Sequence, residues 1–150
     1  MDIAAFILSI ISIIATVIIA TYELVQNRKI NDITLEAEYF DFLFKESMLR
    51  QIPLSRAKLV FDGNGKLTGT DDLIEVLNSM RRNSIYFQYT DGTFYEKLKK
   101  QLQGIEDLLD ETADKNVVAE DQTKFFNELK ENIETLYDLM LKKYLGKKIK

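Results

Sequence analysis

The stretch from Ile3 to Tyr22 reads IAAFILSIISIIATVIIATY and contains no charged side chain. A helix of these twenty residues spans about 30 Å, which is the thickness of a bilayer's hydrocarbon core. No Lys or Arg precedes the run and no A-x-A-like site follows it, which argues against a cleaved signal peptide. We therefore predict an uncleaved transmembrane anchor over residues 1–28.

The charges beside the run predict its direction. Arg28 and Lys29 follow it, and cytoplasmic flanks of membrane helices carry an excess of such residues. We expect a single-pass protein of the bacterial inner membrane, with the N-terminus outside and a domain of residues 29–150 in the cytoplasm. The absence of cysteine agrees with a reducing compartment.

Small and polar residues of the run fall on one face of the predicted helix. At about 100° per residue they occupy a sector of roughly 80°, and Ile, Leu, Val and Phe cover most of the remaining circumference. Small residues let two helix backbones approach closely, and hydroxyls can hydrogen-bond between helices. The alternative is that Ser and Thr bond only to their own backbone. The small-polar stripe consists of Ala5, Ser9, Ser12, Thr16 and Ala20, continued by Glu23 and Asn27.

The chain after the anchor reads as all-α, with apolar residues at helical spacing. We predict an antiparallel helical bundle. A first helix begins at Asn31 or Asp32 and is stopped by Pro53, and a Gly-rich turn lies at 62–65. Three further helices are predicted: from a Thr70-Asp71-Asp72 cap toward Tyr86, from a Thr93–Glu96 capping box to Leu109, and from Asp121 to Leu145.

Composition excludes several chemistries. The chain has no His and no Cys, so it offers neither a thiolate zinc site nor an imidazole base. The turn at 62–65 resembles a calcium loop, but neither register supplies a full set of oxygen ligands, so we expect no metal. We expect no catalytic residues and no cofactor. The net charge of −4 gives no indication of nucleic acid as a partner.

Arg82 and Asn83 carry a resemblance to a known family. An Arg-polar-x-x-x-x-His motif on a helix is the RNase motif of HEPN domains, and Arg82-Asn83 looks like its first half, without the His. The overall plan resembles small bacterial membrane proteins of antiphage loci, in particular the membrane accessory proteins of type VI-B CRISPR systems. That resemblance implies a HEPN-like fold without RNase chemistry and a ring-shaped, pore-like assembly.

Two functions follow from these patterns. The leading hypothesis is self-association into a ring or pore-like oligomer, as an antiphage effector that perturbs the membrane. Its partners are membrane lipid and further copies of the chain, with Tyr39, Phe40, Phe42 and Phe44 joining neighbouring subunits. The alternative is a membrane-tethered adaptor whose bundle binds another protein. The C-terminal lysines are interpreted as a solvated tail, with contact to an anionic leaflet as the alternative.

Overall fold

The computed structural model describes residues 16–27 and 37–145. The chain divides into two compact units, Met1–Glu38 and Tyr39–Lys150. Within the described residues, no helix combines the length and the apolar character needed to cross a membrane. Residues 1–15, which make up more than half of the predicted anchor, lie outside this part of the chain, and so does the predicted domain boundary between residues 28 and 29.

The described part of the first unit contains helix α1, residues 16–27. Thr21 donates its hydroxyl to the carbonyl of Val17 at 2.6 Å, the local bond that a hydroxyl makes to its own helix. The large apolar side chains of this helix are exposed. The continuous apolar character of the sequence thus appears here as an exposed apolar helix.

The second unit is mostly helical, as the periodicity predicts, and includes one small β-hairpin. Residues 37–41 are α-helical and continue into a π-helix. The elements are the π-helix Phe42–Gln51, α2 Ile52–Arg56, β1 Val60–Phe61, β2 Leu67–Thr68, α3 Thr70–Asn83, α4 Ile85–Thr90, α5 Gly92–Ala113 and α6 Ala119–Tyr144.

Helices α5 and α6 form the centre of the domain. Their buried residues repeat at intervals of four, three and four, so each helix presents one continuous apolar stripe. Removing such a side chain from a packed core costs about 2–5 kcal/mol, so this contact dominates the stability of the domain. Gln101 adds a polar contact by donating to the Asn132 carbonyl at 2.9 Å. The stripes comprise Leu98, Leu102, Ile105 and Leu109 on α5, and Leu129, Ile133, Leu136 and Met140 on α6.

The π-helix packs against this centre with a spacing of its own. Leu43 and Met48 are five residues apart, and both are buried. Ser47 is also buried, and its carbonyl accepts the N–H of Ile52, again five residues along the chain. This spacing matches i-to-i+5 hydrogen bonding, which turns a different set of side chains inward than an α-helix would.

Pro53 does not stop the helical chain, in contrast to the prediction. It occupies the second position of α2, where a helix does not need the missing N–H, and helical structure continues to Arg56. The missing N–H does affect the preceding π-helix, because residue 53 is the i+5 partner of Met48. Tyr137 of α6 donates its hydroxyl to the Met48 carbonyl and supplies the lost hydrogen bond.

A β-hairpin lies between α2 and α3, and the predicted Gly-rich turn at 62–65 connects its two strands. Val60 pairs with Thr68 and Phe61 with Leu67. The turn Gly65 has a φ of +76°, and its carbonyl accepts the Val117 N–H at 2.8 Å. A Cβ at this glycine would lie 2.3 Å from the Val117 carbonyl oxygen, so the close approach requires glycine. The hairpin is therefore fastened to the α5–α6 loop.

Three helix boundaries differ from the predictions. The N-cap of α3 is Gly69, at a φ of +78°, and Thr70 is already helical. The N-cap of α5 is Asp91 in place of the predicted capping box at Thr93, because the Asp91 carboxylate accepts the Phe94 N–H. Helix α5 extends to Ala113, one turn beyond its predicted end at Leu109.

Tyr137→Phe tests the hydrogen bond that replaces the missing Pro53 N–H. We expect a loss of about 1–3 kcal/mol in the free energy of unfolding, because the buried Met48 carbonyl keeps no partner. Urea denaturation of the full chain measures this difference. Tyr89→Phe, at a site that is 83% exposed, is the matched control and should change stability by less than about 0.5 kcal/mol.

In a Pro53→Ala background the same change should cost less, because residue 53 then carries an N–H. An equal cost of Tyr137→Phe in both backgrounds would show that Pro53 is not the reason for the bond.

Candidate functional site

Several helix ends meet at one end of the domain. Because α5 and α6 are antiparallel, the start of α5 and the end of α6 lie together. Asp91, the N-cap of α5, accepts a hydrogen bond from the ammonium of Lys143 on α6 at 2.9 Å. The beginning of the domain reaches the same place, because the Phe40 ring stacks on Tyr144 with centroids 5.4 Å apart.

The Asp91–Lys143 ion pair is largely withdrawn from solvent. The Lys143 side chain is 17% exposed and that of Asp91 is 33% exposed. Burial acts to raise the pKa of Asp91, but the Lys143 hydrogen bond, the Phe94 N–H and the lysine charge outweigh it. The pKa of Asp91 therefore lies below its ordinary value, and the carboxylate is charged at neutral pH.

Aromatic rings surround the lysine. The Lys143 ammonium lies 5.4 Å from the centroid of Phe87 and 5.7 Å from that of Phe94. Both rings are fully buried and pack edge to face against each other. Attraction between the cation and the ring faces adds to the ion pair. One cation thus fastens α6 to both α4 and α5.

The aromatic residues predicted to join subunits are largely occupied within the domain. Phe40 is buried, and Phe44 stacks on both Phe40 and Tyr144. Tyr39 stacks on Tyr86 with centroids 4.8 Å apart. Tyr39 and Phe42 are each 38% exposed, so a subunit contact through this segment stays a prediction for these two side chains.

Large side chains nevertheless remain exposed on α4 and on the last turn of α6 and its C-cap. They are Ile85, Tyr89, Leu141, Tyr144 and Leu145, which are 44–83% exposed.

The small-polar stripe is only partly described. Ala5, Ser9 and Ser12 lie outside the described residues. Thr16, Ala20, Glu23 and Asn27 lie on α1, and all four are exposed. Their spacing of three and four places them along one side of that helix.

Arg82 and Asn83 end α3, and their side chains contact residues of the same helix. Arg82 pairs with Glu75 at 2.8 Å on the surface. The Asn83 amide donates to the Ser79 carbonyl at 2.8 Å. The neighbouring Arg81 makes the contact between helices, because it forms an ion pair with the partly buried Glu106 of α5. The arginine that joins two helices is thus Arg81, the residue before the HEPN-like motif.

In the turn that resembles a calcium loop, the Asp62 carboxylate accepts hydrogen bonds from the backbone of the turn itself. One oxygen of Asp62 accepts the N–H groups of Asn64 and Lys66 at 2.8 and 2.9 Å. This is the local bonding of an Asx turn. Among residues 16–27 and 37–145, no group of acidic side chains is arranged to hold a metal ion.

Sequence reasoning missed Asp91 and Lys143 as a pair, although a signal was present. Lys143 stands three residues after Met140 and continues the apolar stripe of α6. Asp91 stands at the corresponding place before Phe94 and Leu98 on α5. Two opposite charges at the inward positions of antiparallel helices indicate an ion pair at their shared end.

No family model, curated protein or solved structure matches the chain.

Asp91→Asn tests the ion pair. We expect the free energy of unfolding to fall by about 1–3 kcal/mol at pH 7. Asparagine keeps the oxygen that caps α5 but removes the charge that faces Lys143. The pKa of Asp91 is lowered on folding, so its contribution is present above the unfolded pKa, about 3.9, and is lost as pH falls through the folded value. The difference in free energy of unfolding between the wild type and the Asp91→Asn variant should therefore become smaller below about pH 4. Urea denaturation at several pH values measures it.

The matched control is Asp138→Asn, which removes an exposed pair with Lys142 and should cost less than about 0.5 kcal/mol. Equal losses for the two variants at pH 7 would contradict a special role for the Asp91–Lys143 pair.

Proposed function

We propose that this chain is a single-pass membrane protein that self-associates through its N-terminal helix. The observation that carries the proposal is the surface of α1. Its large apolar side chains, including Val17, Ile18 and Ile19, are 50–65% exposed. A soluble monomer rarely exposes a continuous apolar surface, whereas lipid or a second apolar helix covers one favourably. The sequence extends this apolar character back to Ile3.

The small-polar stripe supports self-association over simple anchoring. Helices in lipid gain little from burying apolar residues against each other, so close packing at small residues and shared hydrogen bonds drive their association. Thr16 and Ala20 of the stripe are exposed on α1. A ring or pore-like assembly acting in antiphage defence is the specific form that the family resemblance implies.

A membrane-tethered adaptor is the second candidate. It is favoured by exposed apolar side chains around the π-helix and the first strand of the domain. Leu49, Leu54 and Val60 are 53–60% exposed. Such residues are typical of surfaces that bind another protein. In this case the N-terminal helix only localises the domain, and the domain binds its partner as a monomer.

The mass of the purified full-length protein in detergent distinguishes the two candidates. Ser9, Ser12 and Thr16 changed together to Leu should convert the oligomer to a monomer, because bulky side chains separate the helix backbones. Light scattering coupled to size exclusion measures the protein mass without the detergent. A wild-type monomer would contradict self-association and leave the adaptor.

The matched control places the same substitution on the opposite face of the helix. Ile11, Ile14 and Ile18 changed together to Leu preserve apolar volume and should leave the oligomer intact. If both triple variants dissociate alike, the stripe is not the contact.

A further inference from the structure

The outer side of the π-helix and α2 combines an exposed leucine with positive charge. Leu54 is 60% exposed, although it lies on a helix of a packed domain. Arg50 is four residues earlier and is also exposed, so the two side chains are neighbours on the surface. Residues 42–60 contain four basic residues and one acidic residue, whereas the whole chain has a net charge of −4. We call Arg50 and Leu54 the Leu54 face.

A hollow of about 330 Å³ lies between the end of α5 and the start of α6. Its lining includes apolar side chains from both helices and from the loop between them. Pockets of this size enclose small apolar ligands, so an aliphatic side chain fits into it. We call it the α5–α6 hollow. Its apolar lining includes Leu108, Val117, Val118 and Phe125, and its acidic lining comprises Glu111, Asp121 and Glu128.

The chain around this hollow is strongly acidic. Residues 107–121 contain six acidic residues and one lysine. Three of the acidic residues, Asp107, Asp110 and Glu111, lie in the last two turns of α5, and the last turn contains no basic residue. Negative charge at this end of a helix is unfavourable because the helix dipole is negative there. A positive charge from another molecule would therefore be favourable beside the hollow.

The Leu54 face and the α5–α6 hollow are separate surfaces of the same domain. The π-helix and α2 pack against each other and against α3, whereas the hollow lies on α5, α6 and their loop. One surface carries an exposed leucine beside positive charge, and the other offers an apolar hollow among negative charges. Each copy of the chain thus carries both halves of a complementary contact.

We propose that Leu54 of one copy inserts into the α5–α6 hollow of a second copy, with Arg50 against the acidic side chains of that hollow. A buried apolar anchor beside opposite charges is the usual composition of a specific protein contact. Because two different surfaces meet, the contact repeats from copy to copy, head to tail. This inference deepens the proposed self-association and rests on it, since the N-terminal helices hold the copies at high local concentration.

The three carboxylates of the hollow differ in their own partners. Two of them form exposed ion pairs with nearby lysines, and such pairs contribute little to stability. Glu128 forms none within the part of the chain that the structure describes, so it is the carboxylate that we expect Arg50 to meet. The two existing ion pairs are Lys115–Glu111 at 4.0 Å and Lys124–Asp121 at 3.5 Å.

Cysteine cross-linking tests the contact, because the chain contains no cysteine of its own. Leu54→Cys and Val118→Cys are introduced together in the full-length protein, which is purified in detergent and treated with a short bismaleimide. Because the Leu54 face of each copy meets the hollow of the next, we expect a ladder of dimers, trimers and larger species on a denaturing gel. The matched control combines Leu54→Cys with Tyr89→Cys, at an exposed site on α4, and should stay monomeric on the gel.

The single-cysteine variants test whether two different surfaces meet. Leu54→Cys alone and Val118→Cys alone should give no cross-linked dimer, because neither position meets its own copy. A dimer of Leu54→Cys alone, as abundant as that of the double variant, would show that identical surfaces meet and would overturn the proposal. A ladder from the Tyr89 control would overturn it as well, because cross-linking would then not depend on the hollow.

The charge argument has its own variants. Arg50→Glu in the double-cysteine chain should lower the ratio of cross-linked to free chains by about fivefold, because like charges then face each other. Adding Glu128→Arg should restore the ladder. Lys99→Glu makes the same change of charge elsewhere on α5 and should leave the ladder intact. A loss that Glu128→Arg does not reverse would overturn the pairing of Arg50 with Glu128.

The outcomes separate this inference from the proposed function. The mass of the wild-type protein in detergent tests self-association through the N-terminal helix, and a monomer contradicts it. An oligomer whose double-cysteine variant gives no ladder overturns only the head-to-tail contact and leaves the Leu54 face to another protein. A ladder from a protein that is monomeric before cross-linking supports the contact and contradicts the N-terminal helix as the site of assembly.

Discussion

The packing of α5 against α6 is the contact on which the rest of the domain depends. Each helix presents one apolar stripe, and at one end the next inward position of each stripe carries a charge, Asp91 on α5 and Lys143 on α6. Apolar contact stabilises the pair but allows the helices to slide along each other. An ion pair between two partly buried charges restricts such sliding, because a displacement separates the two charges where little solvent is present to replace their contact. The Asp91–Lys143 pair thus sets where α6 ends relative to α4, α5 and the entering chain.

The helical content of the domain could be predicted from the sequence because apolar residues recur at helical spacing over long segments. The end of α6 could be predicted closely for the same reason. The end of the first helical segment was harder to predict, because a proline such as Pro53 normally indicates the end of a helix. In the structure the proline lies in the first turn of α2, which does not need its N–H, and Tyr137 of α6 donates the hydrogen bond that the Met48 carbonyl would otherwise lack. No local pattern contains that information.

The candidate site was predicted only in part, for a related reason. The aromatic segment at Tyr39–Phe44 was predicted from composition, but its ring partners, Tyr86 and Tyr144, are distant in sequence. The capping box at Thr93 satisfied a local rule, yet Asp91 caps α5 by accepting the Phe94 N–H, and its second oxygen accepts from Lys143. Arg82 matched a motif, while Arg81 makes the contact between helices. Local rules identified the right segments, and tertiary contacts selected the residues.

The described part of the first unit exposes a continuous apolar helix. Lipid or a second apolar helix would cover such a surface favourably, which is the basis of the proposed membrane anchor. The central claim is therefore that residues 3–22 cross a bilayer with the C-terminal domain inside the cell. The chain contains no cysteine, so single cysteines placed by Asp2→Cys and Lys150→Cys can be labelled without background. In bacterial spheroplasts treated with a membrane-impermeant maleimide, the account predicts labelling at position 2 before lysis and at position 150 only after lysis. Labelling of both positions only after lysis would contradict it.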